Sequence, residues 1–359
     1  MTHLQAFLQK LPQGTAALIS APQNQYYLSG FPFEDGYLLL FADEALLLTD
    51  SRYVEAAEKG ADPAFAVRCP KKASETIGER LSAHGVTTLL VEEDHLTLAA
   101  KERFEKALTG VTLQGGASAI LTALRVQKDE KEIAAIATAQ SITDAAFSHI
   151  LNFIKPGMRE IDVALELEFF MRKNGAQGLA FQTIAVSGSA SSLPHGVPRD
   201  CPLEKGFLTM DFGARYGGYC SDMTRTVVLG KADADMKKVY ETVLKAQKAA
   251  LDAAAANVSC RGLDKIARDI IDGAGFAGRF GHSLGHGVGL DIHESPRLSP
   301  ASDESTVLLP GHVVTFEPGI YLPGRYGCRI EDMAAVRADG TLLDFTKSEK
   351  ELIELPWNC

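Results

Sequence analysis

The six cysteines of this chain, Cys69, Cys201, Cys220, Cys260, Cys328 and Cys359, form no Cys-x-x-Cys pair and no regular spacing. That excludes a zinc ribbon and a disulfide framework and reads as reduced thiols. No stretch approaches about 18 uninterrupted apolar residues, the length a membrane-spanning helix requires. The opening Met-Thr-His-Leu-Gln-Ala-Phe also lacks a charged segment followed by a long apolar run, so neither a membrane span nor a signal peptide is expected. Long basic runs are missing too: Lys plus Arg is 36 against 46 for Asp plus Glu, a net charge of −10. This balance argues against nucleic acid or an anionic membrane as principal partner and suits a soluble cytoplasmic protein.

What is present is enough chain, 359 residues, for two domains with sizeable cores. Up to about residue 122, apolar runs at 16–20, 37–41, 45–50 and 87–93 alternate with helical patterns at 53–59 and 74–84, which predicts a small α/β domain. The charged stretch 124–133 opens a long helical pattern, so the domain boundary is placed near 122–126, giving domains 1–124 and 125–359. Beyond it the periodicity predicts helices over 133–154, stopped by Pro156-Gly157, and over 159–174. Two more follow, over 236–251 and 263–271, with strand-like segments at 179–187, 207–229 and 312–337. The order helix pair, strands, helix pair, strands suggests two similarly built halves, although no repeat is visible in the residues themselves.

The chemistry concentrates in the second domain. Asp211 and Asp222 interrupt strand-like runs around the hairpin-type loop 213–218, and Asp is a poor strand residue. Glu317 and Glu331 sit among apolar residues, where an unpaired charge costs several kcal/mol. In Gly281 to Arg297 the glycines make a helix improbable, so His282 and His286 read as part of a turn entering a strand. His293, an odd separation from His286, faces the other way if the strand is regular. Arg329, two residues before Glu331, is expected to share its strand face and pair with it. His195 lies in a loop bounded by Pro194 and Pro198. Four carboxylates and one imidazole (Asp211, Asp222, His286, Glu317, Glu331) call for two divalent ions on charge balance. The oxygen-rich, thiolate-free donor set favours Mn²⁺, Co²⁺ or Fe²⁺ over a structural zinc.

The order Asp, Asp, His, Glu, Glu and the words around those residues resemble the pita-bread metallopeptidases, in the branch of aminopeptidase P and prolidase. The resemblance covers about residues 128–356. It implies a creatinase/prolidase N-terminal-like α/β domain followed by an α+β pita-bread catalytic domain. It further implies that Asp211 holds one ion, that Asp222 and Glu331 bridge two, and that His286 and Glu317 complete the second, with Mn²⁺ or Co²⁺ preferred and Zn²⁺ or Fe²⁺ as alternatives. A water or hydroxide between the ions is then the nucleophile. Glu317 is similar to the family's acid/base, and His195 and His293 to the histidines that stabilise the tetrahedral intermediate and contact substrate. Arg297 resembles the contact to the substrate carboxylate, Arg329 its supporting partner, and Tyr321 and His282 further substrate contacts.

The expected reaction is hydrolysis of the Xaa-Pro bond at the N-terminus of peptides, with a dipeptidase restricted to Xaa-Pro dipeptides as the alternative. Phe181, Leu193, His195 and His282 are candidates for the walls of the proline pocket. A homodimer is expected, because a dipeptidase of this branch usually closes its pocket with a neighbouring subunit. A creatinase-like amidinohydrolase, a methionine aminopeptidase and a non-catalytic binding protein are the competing readings. The retained ligand set and the extra N-terminal domain argue against all three.

Overall fold

The computed structural model describes residues 1–357. The chain divides into two compact units, Met1–Arg125 and Val126 onward.

In the first unit, strands β1 (Thr15–Ile19), β2 (Gly36–Leu40), β3 (Ala45–Thr49), β4 (Phe65–Arg68), β5 (Thr88–Val91) and β6 (Thr112–Gly115) form one mixed sheet, ordered β4-β3-β2-β1-β5-β6. Helices α1 (His3–Lys10), α2 (Pro22–Ser29), α3 (Val54–Gly60), α4 (Ala73–Ala83), α5 (Leu98–Ala107) and α6 (Ala117–Arg125) complete it. Its core includes Leu18, Leu39, Leu48, Ile77, Leu81 and Phe104. Sequence reading finds four of these strands and the positions of α3 and α4. The short helices α1 and α2 escape it, since eight residues carry barely two turns of periodicity.

The second unit begins with α7 (Glu130–Phe153), started by the capping box of Asp129 and Glu132, and α8 (Glu160–Lys173). Strands β7 (Gly178–Leu179), β8 (Ile184–Ser187), β9 (Gly206–Phe212), β10 (Ala214–Tyr216), β11 (Tyr219–Cys220) and β12 (Met223–Leu229) follow. Then come α9 (Ala234–Ala253) and α10 (Cys260–Ile271). Beyond them lie β13 (Gly285–Gly287), β14 (Glu294–Leu298), β15 (Val313–Phe316), β16 (Gly319–Leu322), β17 (Tyr326–Arg329), β18 (Asp332–Val336), β19 (Leu342–Asp344) and β20 (Glu354–Leu355). They build a sheet β20-β12-β9-β8, a sheet β14-β13-β15-β18-β19, a small sheet β11-β10-β7 and the hairpin β16-β17.

The two halves that the element order suggests are present in the backbone. Residues 154–159 join α7 to α8 and residues 254–259 join α9 to α10 with the same sequence of turns. Gly157 (φ 89°) takes a left-handed conformation in the first connection and Asn257 (φ 67°) in the second. Each connection then pairs with a later segment, Arg159 with Pro202 and Ser259 with Val307. Sequence comparison misses this because the required left-handed φ accepts either residue type, Asn tolerating it better than most. Each helix pair has its own core. Phe147, Ile150, Leu167, Met210 and Phe212 pack in the first, and Val239, Val243, Leu263, Phe316 and Ile330 in the second. Such a buried side chain contributes about 1.5–3 kcal/mol.

Five cysteines are free thiols, in keeping with the absence of a framework; Cys359 lies outside the described residues. No helix among the described residues is long and apolar enough to cross a membrane.

Candidate active site

A cavity of about 470 Å³ opens among the strands of the second unit. Asp211, Asp222, His286, Glu317 and Glu331 all line it, and so do His195, His282, His293, Arg297 and Arg329. Strand pairing explains how residues so far apart in sequence converge. Asp211, on β9, lies opposite Thr224 on β12, and Asp222 sits in the break between β11 and β12. His286 is on β13, Glu317 follows β15, and Glu331 occupies the break between β17 and β18. The Thr224 hydroxyl donates to Glu331 Oε2 at 2.7 Å, and the Glu331 N–H to the Thr224 carbonyl at 3.1 Å, which ties the two halves together.

The polar atoms of this cluster are mismatched in a telling way. His286 Nδ1 faces the Gly287 carbonyl at 3.0 Å, so it carries the proton and donates. The remaining Nε2 is then a lone pair that points at Asp222 Oδ2 (3.5 Å) and Glu317 Oε1 (3.4 Å), which are acceptors too whenever these carboxyls are ionised. Burial pushes the His286 imidazole down to about 3, so it does not resolve the conflict by protonating. Asp211 Oδ1 is buried without a hydrogen-bond partner. Burial, and then the neighbouring carboxylates, hold Asp222 and Glu331 well above the ordinary carboxylate range, and burial lifts Glu317 to about 8. Donor atoms of Asp222, His286 and Glu331 lie within 4.8 Å of one another. Burial and mutual repulsion thus penalise the ionised carboxylates, and divalent cations would remove that penalty while meeting the His286 lone pair, so the donor set fits such ions.

Arg329 departs from the expected pairing with Glu331. Its Nη2 donates to Asp211 Oδ2 at 2.6 Å, because β17 ends at Arg329 and the chain turns before β18, so the two residues do not share a strand face. Its Nη1 donates to the Pro194 carbonyl (3.1 Å) and to the Tyr321 hydroxyl (2.8 Å). Tyr321 in turn donates to His282 Nε2 at 2.8 Å, because His282 Nδ1 is the ring's donor, to the Ser283 carbonyl at 2.9 Å. This relay changes two expectations. Tyr321, expected as a substrate contact, is buried and stands behind the residues that line the cavity. Both nitrogens of His282 are committed to the protein, so this ring offers a surface rather than a free hydrogen-bonding group. Burial keeps it neutral, lowering it to about 4.

His293 does face the same cavity as His286, contrary to the odd-spacing argument. Residues 288–293 leave the strand, and the register shifts between His286 and Gly287. β14 then returns antiparallel with Arg297 opposite His286, and the two imidazoles meet edge to face with centroids 4.4 Å apart. His195, His293 and Arg297 are exposed. Of the proposed pocket walls, Phe181, His195 and His282 line the cavity, whereas Leu193 is 58 % exposed and does not. Gln182, Thr183 and Ile292 line it without having been singled out. They carry no charge or motif by which sequence reasoning could find them.

Residues 134–338 match the metallopeptidase family M24, and residues 2–127 match the creatinase/prolidase N-terminal domain. The chain is 38 % identical over 340 residues to an Xaa-Pro dipeptidase of Pyrococcus furiosus, covering 93 % of this chain and 94 % of that one. Among solved structures it is similar to an Xaa-Pro dipeptidase from Bacillus anthracis (TM-score 0.93, 39 % identity, 98 % and 99 % of the two chains). It is also similar to an X-Pro aminopeptidase from Thermotoga maritima (TM-score 0.89, 36 % identity, 97 % and 99 %). The chain belongs to metallopeptidase family M24, with the pita-bread catalytic fold behind a creatinase-type N-terminal domain, and is a metallo-exopeptidase.

Proposed function

We propose that this enzyme hydrolyses the Xaa-Pro bond at the N-terminus of peptides, with two divalent ions held by Asp211, Asp222, His286, Glu317 and Glu331. The observation that carries the reading is the pocket in which the His286 Nε2 lone pair faces two carboxylate oxygens at 3.4 and 3.5 Å. When bound, the ions supply Lewis acidity for carbonyl polarisation and water activation; Mn²⁺ or Co²⁺ suits the oxygen-rich set best, with Zn²⁺ or Fe²⁺ as alternatives.

The chain's own residues then have distinct tasks. His195 and His293, both exposed and lining the cavity, donate to the negative charge that develops on the scissile carbonyl oxygen. Glu317 carries the proton from the attacking water to the leaving proline nitrogen. Arg329 keeps Asp211 aimed, through its 2.6 Å bond to Oδ2. The imide nitrogen of an Xaa-Pro bond has no hydrogen, so a pocket for it has no call for a backbone acceptor there.

Restriction to dipeptides is the second reading, favoured by Arg297, an exposed guanidinium at the cavity that suits a free proline carboxylate. Relatives bear both kinds of name, an Xaa-Pro dipeptidase and an X-Pro aminopeptidase. The test is hydrolysis of Ala-Pro beside Ala-Pro-Ala-type peptides by metal-stripped protein resupplied with Mn²⁺, Co²⁺ or Zn²⁺. Release of alanine from the longer peptides supports the aminopeptidase, cleavage of Ala-Pro alone the dipeptidase, and no cleavage with any metal rejects both. We place the enzyme in the cytoplasm as a homodimer, on its acidic balance, its free thiols and the need to close a dipeptide pocket.

A further inference from the structure

We propose that Glu160 and Arg199 are positioning residues that hold the His195 loop in place; this rests on reading His195 as a substrate contact. Glu160 is the first residue of α8 and its side chain is fully buried. Its Oε1 accepts from the Ser187 N–H (2.7 Å), the Ser187 hydroxyl (2.9 Å) and Arg199 Nη2 (2.7 Å). Its Oε2 accepts from the Arg199 N–H (3.0 Å) and Nε (2.8 Å). Ser187 closes β8 and Arg199 follows Pro198, so one carboxylate clasps both ends of the 188–198 loop.

The loop has few other attachments on the side that matters. Its first part is held by the Gly327 N–H to Ser191 Oγ (3.0 Å) and by Arg329 Nη1 to the Pro194 carbonyl (3.1 Å). From His195 to Pro198, the backbone hydrogen bond among the described residues is the local one from the Gly196 N–H to the Leu193 carbonyl, at 3.1 Å. The next anchor is therefore Arg199. The loop also lies tight against β8, since a Cβ on Gly196 would stand 2.9 Å from Val186 Cγ1. A shift at Arg199 is thus transmitted to His195 rather than absorbed.

The second half of the catalytic unit carries a matching device. Asp264 on α10, also buried, accepts from Arg268 Nε (2.9 Å) and Nη2 (3.0 Å) and from the Leu284 N–H (2.9 Å). Arg268 donates in turn to the carbonyls of Phe280 (2.7 Å) and His282 (2.9 Å), on the segment that leads into β13 and His286. An ion pair made on a buried carboxylate is by itself weak evidence for a role in stability. Two such pairs, one per helix pair and each fixing a histidine-bearing segment, point to placement as their purpose. Neither Glu160 nor Arg199 lines the cavity, so the action is indirect.

The test uses the full-length enzyme loaded with Mn²⁺ and compares Arg199→Lys, Arg199→Ala, His195→Ala and the double variant His195→Ala/Arg199→Ala. Each Arg199 variant is expected to lower kcat on Xaa-Pro peptides by roughly 10-fold or more, with KM moved less, because small misplacements of a contact are costly in rate. Bound Mn²⁺ per chain stays unchanged, and amide exchange quickens over residues 188–198. The double variant falls no further than His195→Ala alone, the mark of residues acting through one group. Effects that multiply in the double variant, or an unchanged kcat despite faster exchange, overturn the proposal while leaving the reading of His195 intact. Wild-type turnover by His195→Ala sinks that reading and the clasp with it. Arg199→Lys keeps a cation beside the buried carboxylate and so provides a folded test if Arg199→Ala does not accumulate.

Discussion

At the scale of single residues, position within the cavity and mere proximity to it have different consequences. His293 is exposed at the cavity and half of a 4.4 Å imidazole pair, so His293→Ala is expected to cut kcat by roughly 10²-fold while bound metal is retained. Tyr321→Phe removes only the hydroxyl between Arg329 and His282 and is expected to lower kcat far less; steady-state kinetics of the two variants side by side check the distinction. An equal loss in both would restore Tyr321 to the reaction. Glu331→Ala takes away a buried carboxylate whose oxygen is already oriented by Thr224, and it should abolish both activity and metal retention. Metal analysis after dialysis is the readout, and a variant that keeps two ions per chain would falsify the role given to Glu331.

Elements decide which buried groups are charged. His312 lies in the turn before β15, buried, with its Nδ1 accepting from the Leu309 N–H at 3.2 Å. That bond requires the neutral ring, and burial, with Lys128 secondarily, lowers His312 to about 4. The unfolded chain binds this proton near pH 6.5, so the stability it contributes is present above that pH and lost as pH falls from about 6.5 through about 4. The loss should reach on the order of 2 kcal/mol by pH 4.5. His312→Asn keeps an acceptor for Leu309 but cannot titrate, so the gap in stability between pH 7 and pH 4.5 should narrow relative to wild type. Urea unfolding at both pH values measures it, and an unchanged gap would return His312 to an inert role. The same scale shows where sequence reading succeeds. α7 to α10 are long enough for apolar periodicity to reveal them, whereas the bulge that brings His293 beside His286 leaves no periodic trace.

For the whole molecule, a cation held in this cavity would couple its binding to folding. Adding Mn²⁺ or Co²⁺ to stripped protein is expected to raise the melting temperature, since a ligand at 100 times its Kd stabilises by about 2.7 kcal/mol. Calorimetry that finds no rise with Mn²⁺, Co²⁺ or Zn²⁺ would overturn the cation reading. The amino-acid order by itself determined the two-domain plan, the helix pairs and the identity of the five candidate ligands. Those features are written locally, in periodicity and in carboxylates set among apolar neighbours. Tertiary structure alone decided that Arg329 serves Asp211, that Tyr321 and His282 turn toward each other, and that Glu160 reaches Ser187 and Arg199. Each of these depends on where a strand ends or a loop closes, which is set by packing across more than one element and has no signature at any fixed spacing in the chain.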